Sequence, residues 1–337
     1  MSSAKPLIGI TGGSGYVGSS LAASLARDFR VRILDVKQPQ FTDDQIDYVH
    51  CDVSRRRDVE NGLEDLDLLV HAAIIQIPLI NEQQRLAYQV NVLGTQNVCE
   101  TVDQSKSVKC MILTGSWHTI GERELSGTID EEFGFRPDKV EDRARLYALS
   151  KMAQESMVRL HDGMSGKIFA VLRMGTVLGV GMPEKTAANV FIDKGLRGEP
   201  LTPYKHSMYR PMLYVDIRDI CLAYRSFVAR VLEGRINKTP GSLAHVVNVY
   251  CTKPMTILEL AQIVQREIAK QTGSQGPSID IVDTGQQAAF EQTDKNRISV
   301  DLTRAKEVLG LTHLREPEES IEEIIRARLK KATAQAR

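Results

Sequence analysis

The chain opens on an unbroken apolar run, Leu7-Ile8-Gly9-Ile10, which reads as a buried strand. A glycine-rich turn follows, and Ser19–Arg27 then predicts a helix with Leu21 and Leu25 on one face. The alternation recurs. Val31–Leu34 is a second strand, Ser54 is placed to cap a short helix, and Leu66–His71 is a third strand. Gln83–Val102 predicts a long helix, Cys110–Thr114 an apolar strand, Arg143–Leu160 a helix and Ile168–Leu172 another apolar strand. Strands that are apolar throughout, rather than at every second position, are buried on both faces. The expected fold is therefore α/β, a doubly wound parallel sheet of the Rossmann type.

After Gly179 the pattern changes. Glycine and proline thicken around Gly179–Pro183 and Gly195–Pro203, with irregular segments between them. Later elements are expected at Pro211–Val215, Ile217–Val231 (helix), His245–Tyr250 (strand), and in helices at Ile257–Lys270 and Ile321–Lys331, with a loop at Gln271–Ser278. The division this implies is a main domain over residues 1–178, to which elements from about 211–250 return, and a smaller substrate-binding cap from 179–210 and 251–337.

Composition narrows the class of partner. The 43 basic and 43 acidic residues among 337 cancel, and no basic block points to nucleic acid. Arg55-Arg56-Arg57, followed by Asp58 and Glu60, reads as a solvated helix face. Five scattered cysteines form no Cys-x-x-Cys pair, and the histidines show no ligand spacing, so no metal site is expected. The short N-terminal apolar run suits neither a signal segment nor a membrane span. A cytoplasmic protein that binds neither nucleic acid nor membrane is expected.

Chemistry enters at Thr11-Gly12-Gly13-Ser14-Gly15-Tyr16-Val17-Gly18, between the first strand and first helix. Gly12, Gly15 and Gly18 permit a tight turn and close approach of a pyrophosphate, and the helix start at Tyr16 and Val17 offers free N–H groups. Asp35 ends the second strand, where a carboxylate accepts both ribose hydroxyls and repels a 2′-phosphate. NAD is thus favoured over NADP. Lys37 nearby is read as facing solvent. Asp52-Val53 either holds the adenine edge or forms an ordinary turn. Ala72 and Ala73 let a loop approach the cofactor, and His71 is read as a structural histidine.

Tyr147 and Lys151 stand four apart, which on a helix puts phenol and ammonium on one face; the ammonium would favour the phenolate and make it a base near neutral pH. Such a match alone is common in a chain with nine tyrosines. Ser116, just past the strand Cys110–Thr114, strengthens it, because ligands sit outside the carboxyl ends of such strands. Its hydroxyl would bond the reacting oxygen, Tyr147 would move the proton, and Lys151 would hold the ribose.

With these features, the chain resembles an extended short-chain dehydrogenase/reductase of the NAD-dependent epimerase/dehydratase family. The likeness includes the glycine fingerprint, Asp35, Asp52-Val53, His71-Ala72-Ala73, Asn91–Asn97, the Ser116/Tyr147/Lys151 set, Leu172-Arg173, Leu196–Leu201, Tyr209–Asp216, Asn248–Tyr250 and the Asp301–Gly310 stretch. It implies NAD held by Gly12, Gly15, Tyr16, Val17, Gly18, Asp35, Asp52, Val53, Ala72, Ala73, Asn91, Thr114, Lys151 and Met174. By the same likeness Asn91 orders the active-site helix and Arg210 is a phosphate ligand; residue type alone would make Arg210 a surface charge. A homodimer on the helices near 91–102 and 147–160 is also implied.

The departures concern the substrate. Nucleotide-sugar members usually carry Asn where Thr176 stands and Tyr where Ile120 stands, which argues against a standard diphosphate grip. The 4,6-dehydratases carry an acidic pair where Trp117 and His118 stand, which argues against dehydration. Ser116–Gly121 and Arg173–Thr176 are closer to uronate dehydrogenases, although those lack the segment around 196–216. Trp117 either stacks on a sugar or packs in the core. His118 is a substrate ligand, a second acid/base or a structural hydrogen-bonding group. Trp117, His118, Thr176 and Arg210 form the expected substrate set. The implied reaction is nucleotide-sugar epimerisation by transient oxidation at a ring carbon. The alternatives are a sugar or uronate dehydrogenase releasing NADH and a non-catalytic NAD-binding module.

Overall fold

The computed structural model describes residues 5–41 and 43–335. The first half builds β1 (Leu7–Thr11), α1 (Tyr16–Leu25), β2 (Arg30–Asp35), β3 (Ile46–His50), α2 (Arg56–Gly62) and β4 (Leu68–His71). Two single-turn helices follow, α3 (Leu79–Glu82) and α4 (Gln84–Ala87), then a π-helical turn over Tyr88–Leu93, α5 (Gly94–Gln104) and β5 (Cys110–Ser116). A short strand β6 (Gly127–Ile129) precedes α6 (Arg145–Met164), β7 (Ile168–Met174), β8 (Thr176–Leu178) and α7 (Ala187–Leu196). The remainder comprises β9 (Pro211–Met212), β10 (Tyr214–Asp216), α8 (Ile217–Leu232), β11 (Val246–Val249), β12 (Met255–Thr256), α9 (Ile257–Thr272), β13 (Ile298–Val300), α10 (Thr303–Leu309) and α11 (Pro317–Gln335).

Seven strands form one sheet in the order β11-β7-β5-β4-β1-β2-β3, and every pairing is parallel. The doubly wound sheet read from the sequence is therefore the one that forms. Order reverses between β1 and β4, so the connections leaving these strands diverge and open a crevice at their carboxyl ends. Successive residues of each strand face opposite sides. Ile8, Ile10 and Ile33 join Leu21 and Leu25 of α1 and Phe227 of α8 on one face. Leu7, Leu34, Met111 and Val171 join Val59 of α2, Val102 of α5 and Val158 of α6 on the other. Burial on both faces is why β1, β4, β5, β7 and β11 carry almost no polar residue.

Several boundaries differ from those expected. The stretch 46–50 forms β3, a strand that the sequence pattern left unassigned; as the outermost strand it is only half-buried and lacks an apolar run. The helix expected at Gln83–Val102 is broken at Gln83 and widened into the π turn. β5 does not stop at Thr114, because its pairing with β7 continues through Ser116 opposite Met174. Of the elements between 211 and 250, β11 enters the main sheet and α8 packs beside α1. β9 and β10 do not enter it: β10 pairs with β8, and β9 pairs with β12. Outside the main sheet, α9 packs on α7 and α11. Its start is fixed by a capping box in which Thr256 and Glu259 bond each other's backbone, and its end by Gly273 in the left-handed conformation.

Candidate active site

The loop after β1 is held so tightly that no other residue type fits at two of its glycines. Gly12 has φ +67°, and a Cβ there would lie 2.7 Å from the backbone of Ala73; a Cβ at Gly18 would lie 2.2 Å from the Gly12 carbonyl. Gly15 is different. A Cβ there would meet only the Gly12 carbonyl, at 3.3 Å, so the space above it is open. Gly15 is also the N-cap of α1 and supplies no side-chain cap, which leaves the first N–H groups of the helix, those of Tyr16 and Val17, facing that space. An open glycine shelf before uncapped N–H groups suits an anion such as pyrophosphate. Asp35 lies at the end of β2 with Oδ2 accepting from Ser14 N–H and Oδ1 from Lys37 N–H, both at 3.0 Å. The carboxylate is thereby aimed beside the glycine loop, while Lys37 is exposed. The residues present fit a dinucleotide whose ribose meets Asp35.

Asp52 is occupied locally. Its Oδ1 accepts from the N–H and hydroxyl of Ser54 at 3.0 and 2.7 Å, a local aspartate turn. Val53 is buried against Gly94 of α5. His71 is fully buried between Thr11 and Thr95, with Nδ1 at 2.6 Å from one hydroxyl and Nε2 at 2.9 Å from the other. Burial takes it down to about 3, so it is neutral, as a structural histidine should be. Asn91, in the π turn, bonds both backbone groups of Ile75 and donates to the Ser150 hydroxyl at 3.1 Å. It thus ties the loop after β4 to α6 one residue before Lys151.

Ser116, Tyr147 and Lys151 converge at the carboxyl end of β5. Ser116 is its last residue, and the 3-10 turn that follows, Trp117–Ile120, is capped by the Ser116 hydroxyl. Lys151 Nζ donates to the Thr114 carbonyl at 2.7 Å, and the Thr114 hydroxyl donates to the His71 carbonyl at 3.2 Å. A line of contacts therefore joins the glycine loop to α6 through Thr11, His71 and Thr114. Met174 ends β7 opposite Ser116.

The electrostatics differ from the simple expectation of a phenolate stabilised by Lys151. Burial pushes the Tyr147 phenol above its ordinary range, and the neighbouring Ser116 hydroxyl acts in the opposite direction. Burial also takes the Lys151 ammonium down to about 7. Desolvation disfavours both charged forms, and it outweighs the attraction of a pair four residues apart. An anionic group brought beside Lys151 would restore its charge.

The expected substrate residues are not equally available. Trp117 is 1% exposed, and its indole N–H donates to the Thr176 hydroxyl at 3.0 Å, so both are engaged with each other. Trp117 is packed in the core, with its ring covered. Arg210 is buried, contrary to the surface charge its type suggests, and is paired with Glu141. Arg143 Nε reaches the same carboxylate oxygen at 2.8 Å. His118 is partly exposed; its Nδ1 lies 3.3 Å from the Ser116 hydroxyl, and its ring meets Tyr147 edge-on with centroids 5.8 Å apart.

Two residues of this neighbourhood were missed in the sequence. Glu122, wholly buried, lies 3.6 Å from His118 Nε2, and Glu141 sits beside it. The spacing of four between His118 and Glu122 was the available signal. Behind the site, Arg173 of β7 and Glu155 of α6 form a buried ion pair at 2.6 Å that fixes the helix carrying Tyr147 to the sheet. Among the described residues, no helix is long and apolar enough to cross a membrane.

The model of the NAD dependent epimerase/dehydratase family matches residues 8–238. A putative UDP-glucose 4-epimerase of Methanocaldococcus jannaschii is 26% identical over 274 residues, 78% of this chain and 82% of that protein. Human sterol-4-alpha-carboxylate 3-dehydrogenase, decarboxylating, is 30% identical over 152 residues, which span 44% of this chain and 38% of that enzyme. Among solved structures, MoeE5 in complex with UDP-glucuronic acid and NAD superposes with a TM-score of 0.76 at 20% identity, covering 96% of this chain and 99% of that one. UDP-glucuronic acid 4-epimerase from Bacillus cereus gives 0.73 at 19%, with the same coverage. At these identities the structural likeness is one of fold.

Proposed function

The chain belongs to the NAD-dependent epimerase/dehydratase family, and from that premise we propose that it oxidises a secondary hydroxyl of a sugar, with Tyr147 taking the hydroxyl proton. Bound NAD supplies the hydride acceptor. The observation that carries this reading is the convergence of Ser116, Tyr147 and Lys151 at the end of β5, joined through Thr114 and His71 to the glycine loop. Gly12, Gly15, Gly18 and the N–H groups of Tyr16 and Val17 hold the pyrophosphate, and Asp35 the ribose. Ala72, Ala73, Asn91, Thr114 and Met174 line the approach to the nicotinamide. Ser116 orients the reacting oxygen and Lys151 holds the second ribose, with its charge restored when Tyr147 becomes a phenolate.

The reaction we favour is epimerisation of a nucleotide sugar, in which a transient ketone is reduced from its opposite face. Its support is the likeness to a putative UDP-glucose 4-epimerase over 78% of the chain. The second reading, a dehydrogenase that releases its reduced cofactor, is favoured by one specific observation: Arg210 is already paired with Glu141 rather than free for a diphosphate. Incubation with NAD and a panel of nucleotide sugars and uronates separates them. Isomerised sugar without NADH supports epimerisation, accumulating NADH supports the dehydrogenase, and no conversion of any member contradicts both.

A homodimer is part of the proposal. Leu86, Tyr88 and Leu93, around the π turn, and Leu149, Leu160 and Met164 of α6 are exposed large apolar side chains. Burying such groups stabilises association.

A further inference from the structure

Three buried or half-buried groups, Ser116, His118 and Glu122, continue inward from Tyr147, and one histidine tautomer aligns them as successive donors. The Ser116 hydroxyl neighbours the Tyr147 phenol and opposes the rise that burial imposes on it. Its oxygen accepts the His118 backbone N–H at 3.3 Å and lies at the same distance from His118 Nδ1. With the hydroxyl proton given to Nδ1, the imidazole carries its own proton on Nε2. That atom faces Glu122 Oε1 at 3.6 Å. Glu122 is 0% exposed, and Oε1 has no hydrogen-bond partner among the described residues, whereas Oε2 accepts the Glu141 N–H at 3.2 Å. A buried carboxylate oxygen left without a donor is costly unless it has a task.

We propose that Ser116, His118 and Glu122 form a proton relay in which Glu122 stores the proton that leaves Tyr147. The proposal rests on the oxidative reading of Tyr147 given above. The phenol O–H passes its proton to the Ser116 oxygen as the Ser116 hydroxyl proton moves to His118 Nδ1 and the Nε2 proton moves to Glu122 Oε1. Tyr147 ends as phenolate, Ser116 again as a hydroxyl, His118 as the neutral Nδ1–H tautomer and Glu122 as a neutral carboxylic acid. No charge is created or lost. The phenolate then takes the proton of the substrate hydroxyl as hydride departs. In an epimerase every transfer reverses when hydride returns; Glu122 therefore needs no path to water, consistent with its complete burial.

The charged surroundings suit both members. His118 is held down to about 3 by burial, with the guanidiniums of Arg143 and Arg210 acting in the same direction, so it stays neutral and retains one accepting nitrogen. Burial and the Glu141 carboxylate push Glu122 above the ordinary glutamate range, with Arg143 partly opposing them. It is a better proton acceptor than a solvated carboxylate for that reason. Tyr147, Lys151, Glu141, Arg143 and Arg210 are charged or titratable groups facing this relay, and Lys151, held down to about 7 by burial, titrates beside it. In this relay His118 and Glu122 act through Ser116 and Tyr147.

The test uses the full chain loaded with NAD. Wild type, Tyr147→Phe, Glu122→Gln, Glu122→Asp and His118→Asn are compared across pH with UDP-hexoses, UDP-uronates and free uronates, following both sugar isomerisation by NMR and nicotinamide absorbance. Wild-type activity falls on acidification as Glu122 takes a proton. Glu122→Gln, which keeps an acceptor for the Glu141 N–H, loses that acid limb and about 10- to 100-fold in rate, with NAD affinity unchanged. His118→Asn behaves alike, and Glu122→Asp restores the limb. Nitrogen NMR of the imidazole in the resting protein at neutral pH shows a neutral Nε2–H ring. A Glu122→Gln variant with the wild-type rate and acid limb overturns the relay while leaving Tyr147 in its role, as does an Nδ1–H resting tautomer. Failure of wild type either to reduce NAD or to isomerise any of these sugars, or full activity in Tyr147→Phe, overturns the oxidative reading and the relay with it.

Discussion

Lys151 Nζ donates to the Thr114 carbonyl at 2.7 Å, a bond that fastens α6 to the carboxyl end of β5. Because Thr114 also bonds the His71 carbonyl, the lysine is positioned by the same strand ends that shape the cofactor crevice. Its burial, and that of Tyr147, makes the site reluctant to hold charge until ligands arrive.

Tyr147→Phe removes only a hydroxyl at the end of this arrangement. NAD binding should stay within about threefold of wild type, and turnover should fall at least about 100-fold, as for loss of a general base. Calorimetric titration of NAD beside a turnover assay checks both. Retained turnover would remove the phenol from the reaction.

Asp35 is expected to set cofactor choice. Asp35→Ser removes the carboxylate while leaving a hydroxyl able to meet the Ser14 and Lys37 N–H groups. The ratio of NAD to NADP affinity should fall by about tenfold or more, since one unfavourable charge contact is worth about 1.4 kcal/mol per factor of ten. An unchanged ratio would contradict the ribose role.

Arg210 distinguishes the two substrate readings. If it leaves Glu141 to grip a diphosphate, Arg210→Ala raises KM for nucleotide sugars far more than for free sugars. Equal effects on both would favour the dehydrogenase acting on a free sugar or uronate. Arg210→Ala also leaves the nearly buried Glu141 with Arg143 alone, so the melting temperature should drop in either case.

His71 predicts how stability depends on pH. It stays neutral in the fold, at about 3, whereas the unfolded chain takes a proton near 6.5. The unfolded state therefore binds more protons between these values; this contribution is complete above pH 6.5 and is lost as pH falls toward 3. His71→Gln should be less stable at pH 7 but should lose less on going to pH 5, by up to about 1.4 kcal/mol per pH unit. Urea midpoints at the two pH values measure this; parallel losses in both proteins would contradict it.

The doubly wound sheet was legible because β1, β4, β5 and β7 each carry a continuous apolar run, with polar residues only toward their carboxyl ends, a pattern that half-exposed β3 lacks. Gly12 and Gly18 could be read from spacing because only glycine fits where backbone meets backbone. The substrate side was harder. Spacing shows that Trp117 and Thr176 are present but not that they bond each other, and the arginine at 210 looks the same in sequence whether it is free or paired. Glu122 and Glu141 are nineteen positions apart, and they meet where the Arg123 N–H donates to the Lys139 carbonyl and the Arg136 N–H to the Thr119 carbonyl.

The central claim is that hydride leaves a carbon bearing a hydroxyl while Tyr147 handles only the oxygen-bound proton. Conversion of the nucleotide-sugar and uronate panel in D2O, with NMR of the product, tests it directly. Hydride transfer predicts a converted sugar with no deuterium at the reacting carbon. Deuterium at that carbon would mean proton exchange with solvent instead, and would contradict the account.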